Sequence, residues 1–157
     1  MKVLGFRADP TGPRYAIVTN DAGTFTLANA ASETRLSYPA GVPSPSDKAD
    51  WLYREIERVF RDHTDIARVV IKTNEYTQSD SKAKRESAYA EAILLLYCAQ
   101  HQVPVEIKIY TSLGTKSGDV KTHAEARVGR TSKYWDAKMA DAVVAGWSGA
   151  ANNSRPI

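Results

Sequence analysis

The sequence has a single cysteine and three scattered histidines, which limits the chemistry open to it. One cysteine, Cys98, excludes an internal disulfide and any zinc site built from several cysteines. Cys98 ends an apolar run over residues 92–98, and apolar surroundings raise the pKa of a thiol. We therefore expect a buried, unreactive thiol. No two histidines are four residues apart, so they do not indicate a metal site.

Long hydrophobic runs are also missing, since no stretch approaches the roughly 20 apolar residues that a membrane helix needs. Lys2 and Arg7 place charge too early for the apolar core of a signal peptide. We therefore expect a cytoplasmic protein without membrane association. With 157 residues, 43% of them hydrophobic, the chain fits one domain over residues 1–148, followed by a loose tail over residues 149–157.

The net charge of +3 is modest, but its distribution is uneven. Residues 1–66 carry 8 Lys and Arg against 9 Asp and Glu, whereas residues 67–157 carry 13 against 9. The segment from Lys108 to Lys133 has six basic residues and only two acidic ones. Such a local excess attracts polyanions, although a solvated, lysine-bearing face is the simpler interpretation.

Hydrophobic periodicity predicts five strands and three longer helices. The strands are expected over residues 2–7, 15–19, 24–28, 67–73 and 103–110. The helices are expected over residues 45–63, 86–100 and 132–147, with a further short helix starting at Ser112. Short turns join the first three strands, and helices precede the last two. The pattern therefore predicts an α/β fold with one mixed five-stranded sheet, an antiparallel meander plus parallel strands, flanked by helices.

Five short motifs follow one another along the chain. They are Val3-Leu4-Gly5-Phe6, Val69-Val70-Ile71, Pro104-Val105-Glu106, Tyr110-Thr111-Ser112 with Lys116, and Ala140-Asp141-Ala142-Val143. Their order and spacing resemble the ribonuclease H-like superfamily, in its RuvC-type Holliday-junction resolvase branch, over about residues 1–148. The chain resembles an uncharacterised group of small bacterial ribonuclease H-like proteins at least as well.

The resemblance implies positions for a catalytic site. Such enzymes hold two divalent metals about 3.5–4 Å apart with carboxylates. Their acids end the first and fourth strands and lie three residues apart on the last helix. The matching positions here hold Arg7, Lys72, Lys138 and Asp141, so three of the four acids are replaced by bases.

Three fixed positive charges repel a divalent cation and attract an anion such as a backbone phosphate. In this alignment the chain is a pseudo-nuclease without a metal cofactor. A simpler interpretation also stays open: Arg7 and Lys72 reach into solvent from strand ends, and Lys138 pairs with Asp141 one turn further along the helix.

A second alignment uses acids that lie close to the expected positions. These are Asp9, Glu75, Asp136 and Asp141, which would hold Mg²⁺ or Mn²⁺ in an active endonuclease. Asp136 and Asp141 are five residues apart, about 140° around a helix, which is a poor arrangement for one ion.

Further residues are candidates for nucleic-acid contacts. Lys116, Lys121, Arg130 and Lys133 lie in the segment where a resolvase contacts the DNA backbone. Tyr76, Tyr134 and Trp135 adjoin basic stretches and are able to stack on bases, although packing is the simpler role. The run from Ser81 to Arg85 reads as a solvated helix start or as a phosphate contact.

These features lead to three hypotheses. The first is a ribonuclease H-like protein that binds DNA or RNA, or a partner complex, without cutting it. The second is a metal-dependent endonuclease that uses the displaced acids. The third is a protein–protein module, and the resemblance permits a homodimer.

Overall fold

A computed structural model describes residues 1–42 and 44–152 of the chain. The elements follow in the order β1 (Lys2–Arg7), β2 (Arg14–Asp21), β3 (Thr24–Leu27), α1 (Pro45–Asp62), β4 (Ile66–Lys72), α2 (Lys82–Gln100), β5 (Val105–Lys108), α3 (Tyr110–Leu113), α4 (Val120–Arg127) and α5 (Ala137–Asn152). No helix among the described residues is long and apolar enough to cross a membrane.

The five strands form one mixed sheet in the order β3-β2-β1-β4-β5. β1, β2 and β3 pair antiparallel, as the short turns between them predict. β4 pairs parallel with β1, and β5 pairs parallel with β4. The predicted fold class is therefore confirmed. Because β1 and β4 are parallel neighbours, their carboxyl ends lie side by side at one end of the sheet.

Each face of the sheet packs against its own helices, because side chains alternate along a strand. Leu4, Phe6 and Ile71 face α1 and α2 in one core cluster. Val3 and Val70 face α3, α4 and α5 in the other. Cys98 is buried in the first cluster as expected, and burial raises its pKa to about 11.

Two of the long helices begin directly after a serine that caps them. Ser44 caps α1, because its Oγ accepts a hydrogen bond from the Asp47 N–H at 3.1 Å. Ser81 caps α2 in the same way, so that helix begins at Lys82, one turn before the predicted residue 86. The Ser81–Arg85 run therefore contains the start of a helix.

The later elements depart further from the prediction. The short helix begins at Tyr110 rather than Ser112, and α4 was not predicted, since only Val120 and Ala124 of its eight residues are buried. α5 begins at Ala137 rather than at residue 132, because Asp136 accepts the Met139 N–H. It continues to Asn152, so residues 149–152, expected in the tail, are helical, and residues 153–157 lie outside the described part.

Candidate functional site

The site lies where β1 and β4 end and α5 begins. Arg7 ends β1 and Lys72 ends β4, on adjacent parallel strands. α5 runs across them at very close range, since a Cβ added at Gly5 would lie 1.9 Å from the Ala142 carbonyl oxygen. Only glycine allows this approach. It places Asp141, on the first turns of α5, directly beside Arg7.

Asp141 is buried and accepts two hydrogen bonds. Arg7 Nε donates to its Oδ2 at 2.9 Å, and the Tyr110 hydroxyl donates to its Oδ1 at 2.7 Å. Asp141 is 1% exposed and Arg7 is 8% exposed. Burial raises the pKa of Asp141, while the hydrogen bonds from Tyr110 and Arg7 act in the opposite direction. Burial and the bond to Asp141 raise the pKa of Tyr110.

Lys72 is the second cation beside this carboxylate, and it is 1% exposed. Its Nζ lies 3.5 Å from Glu75 Oε1 and 3.9 Å from the centroid of the Tyr110 ring. It also donates to the Thr73 carbonyl oxygen. Burial lowers the pKa of Lys72, and the positive charge of Arg7 lowers it further. Lys72 and Arg7 are thus brought together around Asp141 and Tyr110, as the first alignment expects.

Lys138 takes a different partner. Its Nζ donates to Asp9 Oδ2 at 2.6 Å, whereas Asp141 pairs with Arg7, so the interpretation in which Lys138 pairs with Asp141 is wrong. Asp9 also accepts from the N–H and hydroxyl of Thr11. Burial opposes ionisation of Asp9, but the hydrogen bonds from Lys138 and Thr11 outweigh it and lower its pKa well below the ordinary value.

The same interpretation placed Arg7 and Lys72 in solvent, and this is also wrong, because both side chains are buried. The three bases do not form an open anion site either. Each faces its own carboxylate: Arg7 faces Asp141, Lys72 faces Glu75, and Lys138 faces Asp9. The cluster is therefore close to charge-neutral, and Lys72 has almost no surface that a phosphate could reach.

The acids of the second alignment are spread among these ion pairs. Asp136, the one not yet described, caps α5 and pairs with Arg14 at 2.7 Å. In the described part of the chain no three of His, Cys, Asp and Glu lie in an arrangement that could hold a metal ion.

The donor set does not fit the pair of divalent metals that the fold family implies. Arg7 and Lys72 occupy the strand ends where the sequence resemblance implies carboxylates, and their charged groups lie around Asp141, the acid that the first alignment keeps. A cation brought to Asp141 would have to displace the Arg7 guanidinium.

Two neighbours of the cluster were not predicted. Asn74 Oδ1 accepts from Arg7 Nη1 at 2.9 Å and so orients the guanidinium. Glu91, on α2, is buried and accepts from the Thr73 hydroxyl at 3.0 Å, and burial raises its pKa. A signal for Glu91 was present, since it shares a helix stripe with Leu94 and Cys98, which are also buried.

The residues predicted to contact a nucleic-acid backbone lie on the surface around α3 and α4. Lys116, Lys121, Arg130 and Lys133 are all exposed. Arg130 lies 3.7 Å from Glu125, whereas none of the ion pairs found among residues 1–42 and 44–152 includes the three lysines.

Lys116 also lines an open cleft of about 540 Å³ between α3 and α4, together with Arg127 and His123. Two cationic side chains, Lys116 and Arg127, thus line this opening together with the acid Asp119. This surface, unlike the buried cluster, is accessible to an anion.

The three aromatic candidates differ in exposure. Tyr76 is 78% exposed, just beyond the end of β4. The centroid of the Tyr134 ring lies 5.0 Å from Cζ of Arg35, so this ring packs against a guanidinium of the protein itself. Trp135 is half-buried and donates from Nε1 to Glu125 at 2.8 Å. Tyr76 alone among the three has a largely open ring.

No protein-family model and no curated protein matches the sequence. Solved structures do match the fold. RuvC of T. thermophilus in complex with a Holliday junction substrate is 14% identical, with a TM-score of 0.76 over 98% of this chain and 97% of that one. A second Thermus thermophilus RuvC structure is 12% identical, with a TM-score of 0.75 over 96% and 93%.

The yeast mitochondrial Holliday junction resolvase is 13% identical, with a TM-score of 0.62 over 98% of this chain and 81% of that one. The match thus extends over nearly the whole chain. At such low identities it concerns the fold and not the activity. The chain has a ribonuclease H-like fold of the type found in the RuvC resolvases.

Proposed function

We propose that the protein binds nucleic acid on a RuvC-like scaffold and does not hydrolyse it by two-metal chemistry. The observation that carries this proposal is the ion pair between Arg7 and Asp141, with Lys72 beside it, at the position where the fold family binds metal. A similar fold in complex with a Holliday junction supports the choice of nucleic acid as the partner.

The buried cluster serves the scaffold in this proposal, and the exposed lysines serve binding. Lys116, Lys121 and Lys133 are free to neutralise phosphates, because no carboxylate among the described residues pairs with them. Each phosphate contact releases condensed counterions, so the affinity should fall as salt rises. Arg130 contributes less, since Glu125 already faces it.

Binding is tested by fluorescence anisotropy with a labelled four-way junction, a duplex and a single strand at several salt concentrations. Lys116→Gln and Lys121→Gln should each reduce the slope of log K against log salt by about 1. Arg54→Gln is the matched control, since Arg54 lies on α1, across the sheet, and is 73% exposed. No affinity for any of the three nucleic acids at low salt would refute the proposal.

Cleavage is tested on the same substrates with Mg²⁺ and Mn²⁺. We expect no product. Metal-dependent cleavage that disappears in Asp9→Asn or Asp141→Asn, at a temperature where each variant is folded, would instead establish the endonuclease of the second alignment.

We also propose that the protein acts in the cytoplasm, as its charge and hydropathy pattern predicts, and that it is a homodimer, which the sequence resemblance permits. Light scattering with and without junction DNA measures the mass of the complex. A monomer in both conditions would contradict the dimer, and fractionation of cells tests the location.

A further inference from the structure

A second cleft lies on the opposite face of the sheet, between the first halves of α1 and α2. Its volume is about 300 Å³, at the lower end of the range typical of small-molecule sites. Its walls include the apolar side chains of Ala49, Leu52, Ala90 and Ile93. The proposed function makes no use of this cleft.

The rim of the cleft is cationic. Lys48, Lys82 and Arg85 line it, and α1 and α2 both begin there, so the partial positive charges of two long helices add to theirs. Lys82 lies 3.7 Å from Glu86, and Arg85 pairs with Asp80 at 2.6 Å.

Lys48 is different from the other two cations. None of the ion pairs found among the described residues includes it, and its Nζ lies 5.5 Å from the centroid of the Tyr38 ring. The remaining acid of the lining, Asp9, is bound to Lys138. The rim therefore has a spare positive charge that an anion would neutralise.

Two aromatic rings belong to the same lining. Tyr38 is half-buried, and Tyr89, which projects from α2, is 53% exposed. Exposed aromatic rings beside cations bind planar rings that carry an anionic group, because stacking and charge attraction then act together.

We propose that this cleft binds a nucleotide, with the base against the tyrosines and apolar walls and the phosphate at Lys48. A nucleotide joins a planar ring to a phosphate over a short distance, so it uses both halves of the cleft. It can come from solution or from the unpaired end of a bound strand. In the first case the inference is independent of the proposed function, and in the second it rests on it.

The first experiment titrates the full chain with adenosine 5′-monophosphate, adenosine and inorganic phosphate, and follows NMR signals of the cleft. We expect the monophosphate to shift the signals of Ala49 and Tyr89. It should bind about tenfold more tightly than adenosine or phosphate, because each lacks one of the two contacts.

Matched variants identify the contacts. Lys48→Gln should weaken monophosphate binding about five- to tenfold, and Tyr89→Ala should weaken it by a similar factor. Both side chains are partly or largely exposed, so the fold should persist. Arg61→Gln is the control, since Arg61 is exposed on α1 outside the cleft and the substitution removes the same charge.

The second experiment compares a blunt duplex with one that has a single-nucleotide overhang. Lys48→Gln should weaken binding of the overhang alone if the ligand is a strand end, whereas Lys121→Gln should weaken both duplexes. Monophosphate binding without this effect identifies the free nucleotide as the ligand.

Failure of the proposed function and failure of the nucleotide inference give different results. If no nucleic acid binds, the proposed function fails, and the monophosphate titration still decides the cleft. If the monophosphate causes no shift at Ala49 or Tyr89, and the overhang does not depend on Lys48, the inference is overturned. Binding that Lys48→Gln and Tyr89→Ala leave unchanged, or phosphate binding as tight as the monophosphate, also overturns it.

Discussion

Asp141→Asn separates a structural ion pair from a catalytic acid. In this structure the Asp141 carboxylate is 1% exposed and compensates the buried Arg7 guanidinium beside it. The substitution keeps the shape but removes the negative charge, so Arg7 and Lys72 are left as neighbouring buried cations. Removing one partner of a buried ion pair costs about 3–5 kcal/mol. In a metal site formed by several acids the same change would relieve repulsion and leave stability unchanged or higher.

The free energy of unfolding is measured by urea denaturation, and the melting temperature by circular dichroism. For a chain of this size we expect the melting temperature to fall by roughly 6–20 °C. Asp50→Asn is the matched control, because the Asp50–Arg54 pair is largely exposed and should contribute no more than about 1 kcal/mol.

A double variant tests the pairing itself. Adding Arg7→Met to Asp141→Asn removes the uncompensated cation, so the two effects should be non-additive by about 0.5–3 kcal/mol. A melting temperature for Asp141→Asn within about 2 °C of the unmodified protein would refute the reasoning.

Three further outcomes follow from buried groups. Gly5→Ala should lower the free energy of unfolding, measured by urea denaturation, by more than about 3 kcal/mol, because the added Cβ would meet the Ala142 carbonyl oxygen. Gly118→Ala is the control and should be neutral, since a Cβ there meets nothing within 4 Å. Equal effects of the two substitutions would contradict the close packing of α5. Burial raises the pKa of Glu91, so the folded state holds its proton more tightly than the unfolded state. Stability should therefore fall as pH rises above the ordinary carboxyl pKa, and Glu91→Gln should reduce that fall while the exposed Glu57→Gln does not. Cys98, with its pKa raised to about 11, should react with a thiol reagent at pH 8 only after unfolding, and rapid reaction in the native protein would contradict its burial.

The arrangement around Asp141 shows how cations of the chain itself balance the acids at this end of the sheet. Carboxylates gathered at strand ends repel one another unless a cation lies among them. Here Arg7 and Lys72 supply fixed positive charge at those places, and Tyr110 and Asn74 hold the groups in position. These cations of the chain itself therefore compensate the negative charge of the acids in the cluster.

Local patterns in the sequence were sufficient for most of the architecture. Three such patterns each act within a few residues, so they are visible without a fold. They are the alternation of polar and apolar residues over Thr24–Leu27, the apolar run in β4, and the Ser44-Pro45-Asp47 helix cap. The predictions were less accurate where tertiary contacts compensate for a weak pattern. α4 has two buried residues and little periodicity, and packing against α5 stabilises it.

The sequence by itself determined which residues end β1 and β4, and hence that two bases, Arg7 and Lys72, lie at the carboxyl ends of these central strands. Only the tertiary structure decided which charges pair. Arg7 and Asp141 are 134 residues apart, and Lys138 and Asp9 are 129 apart, so no spacing rule within one helix or strand relates them. Their pairing depends on the position of α5 along the sheet, which the close contact at Gly5 sets.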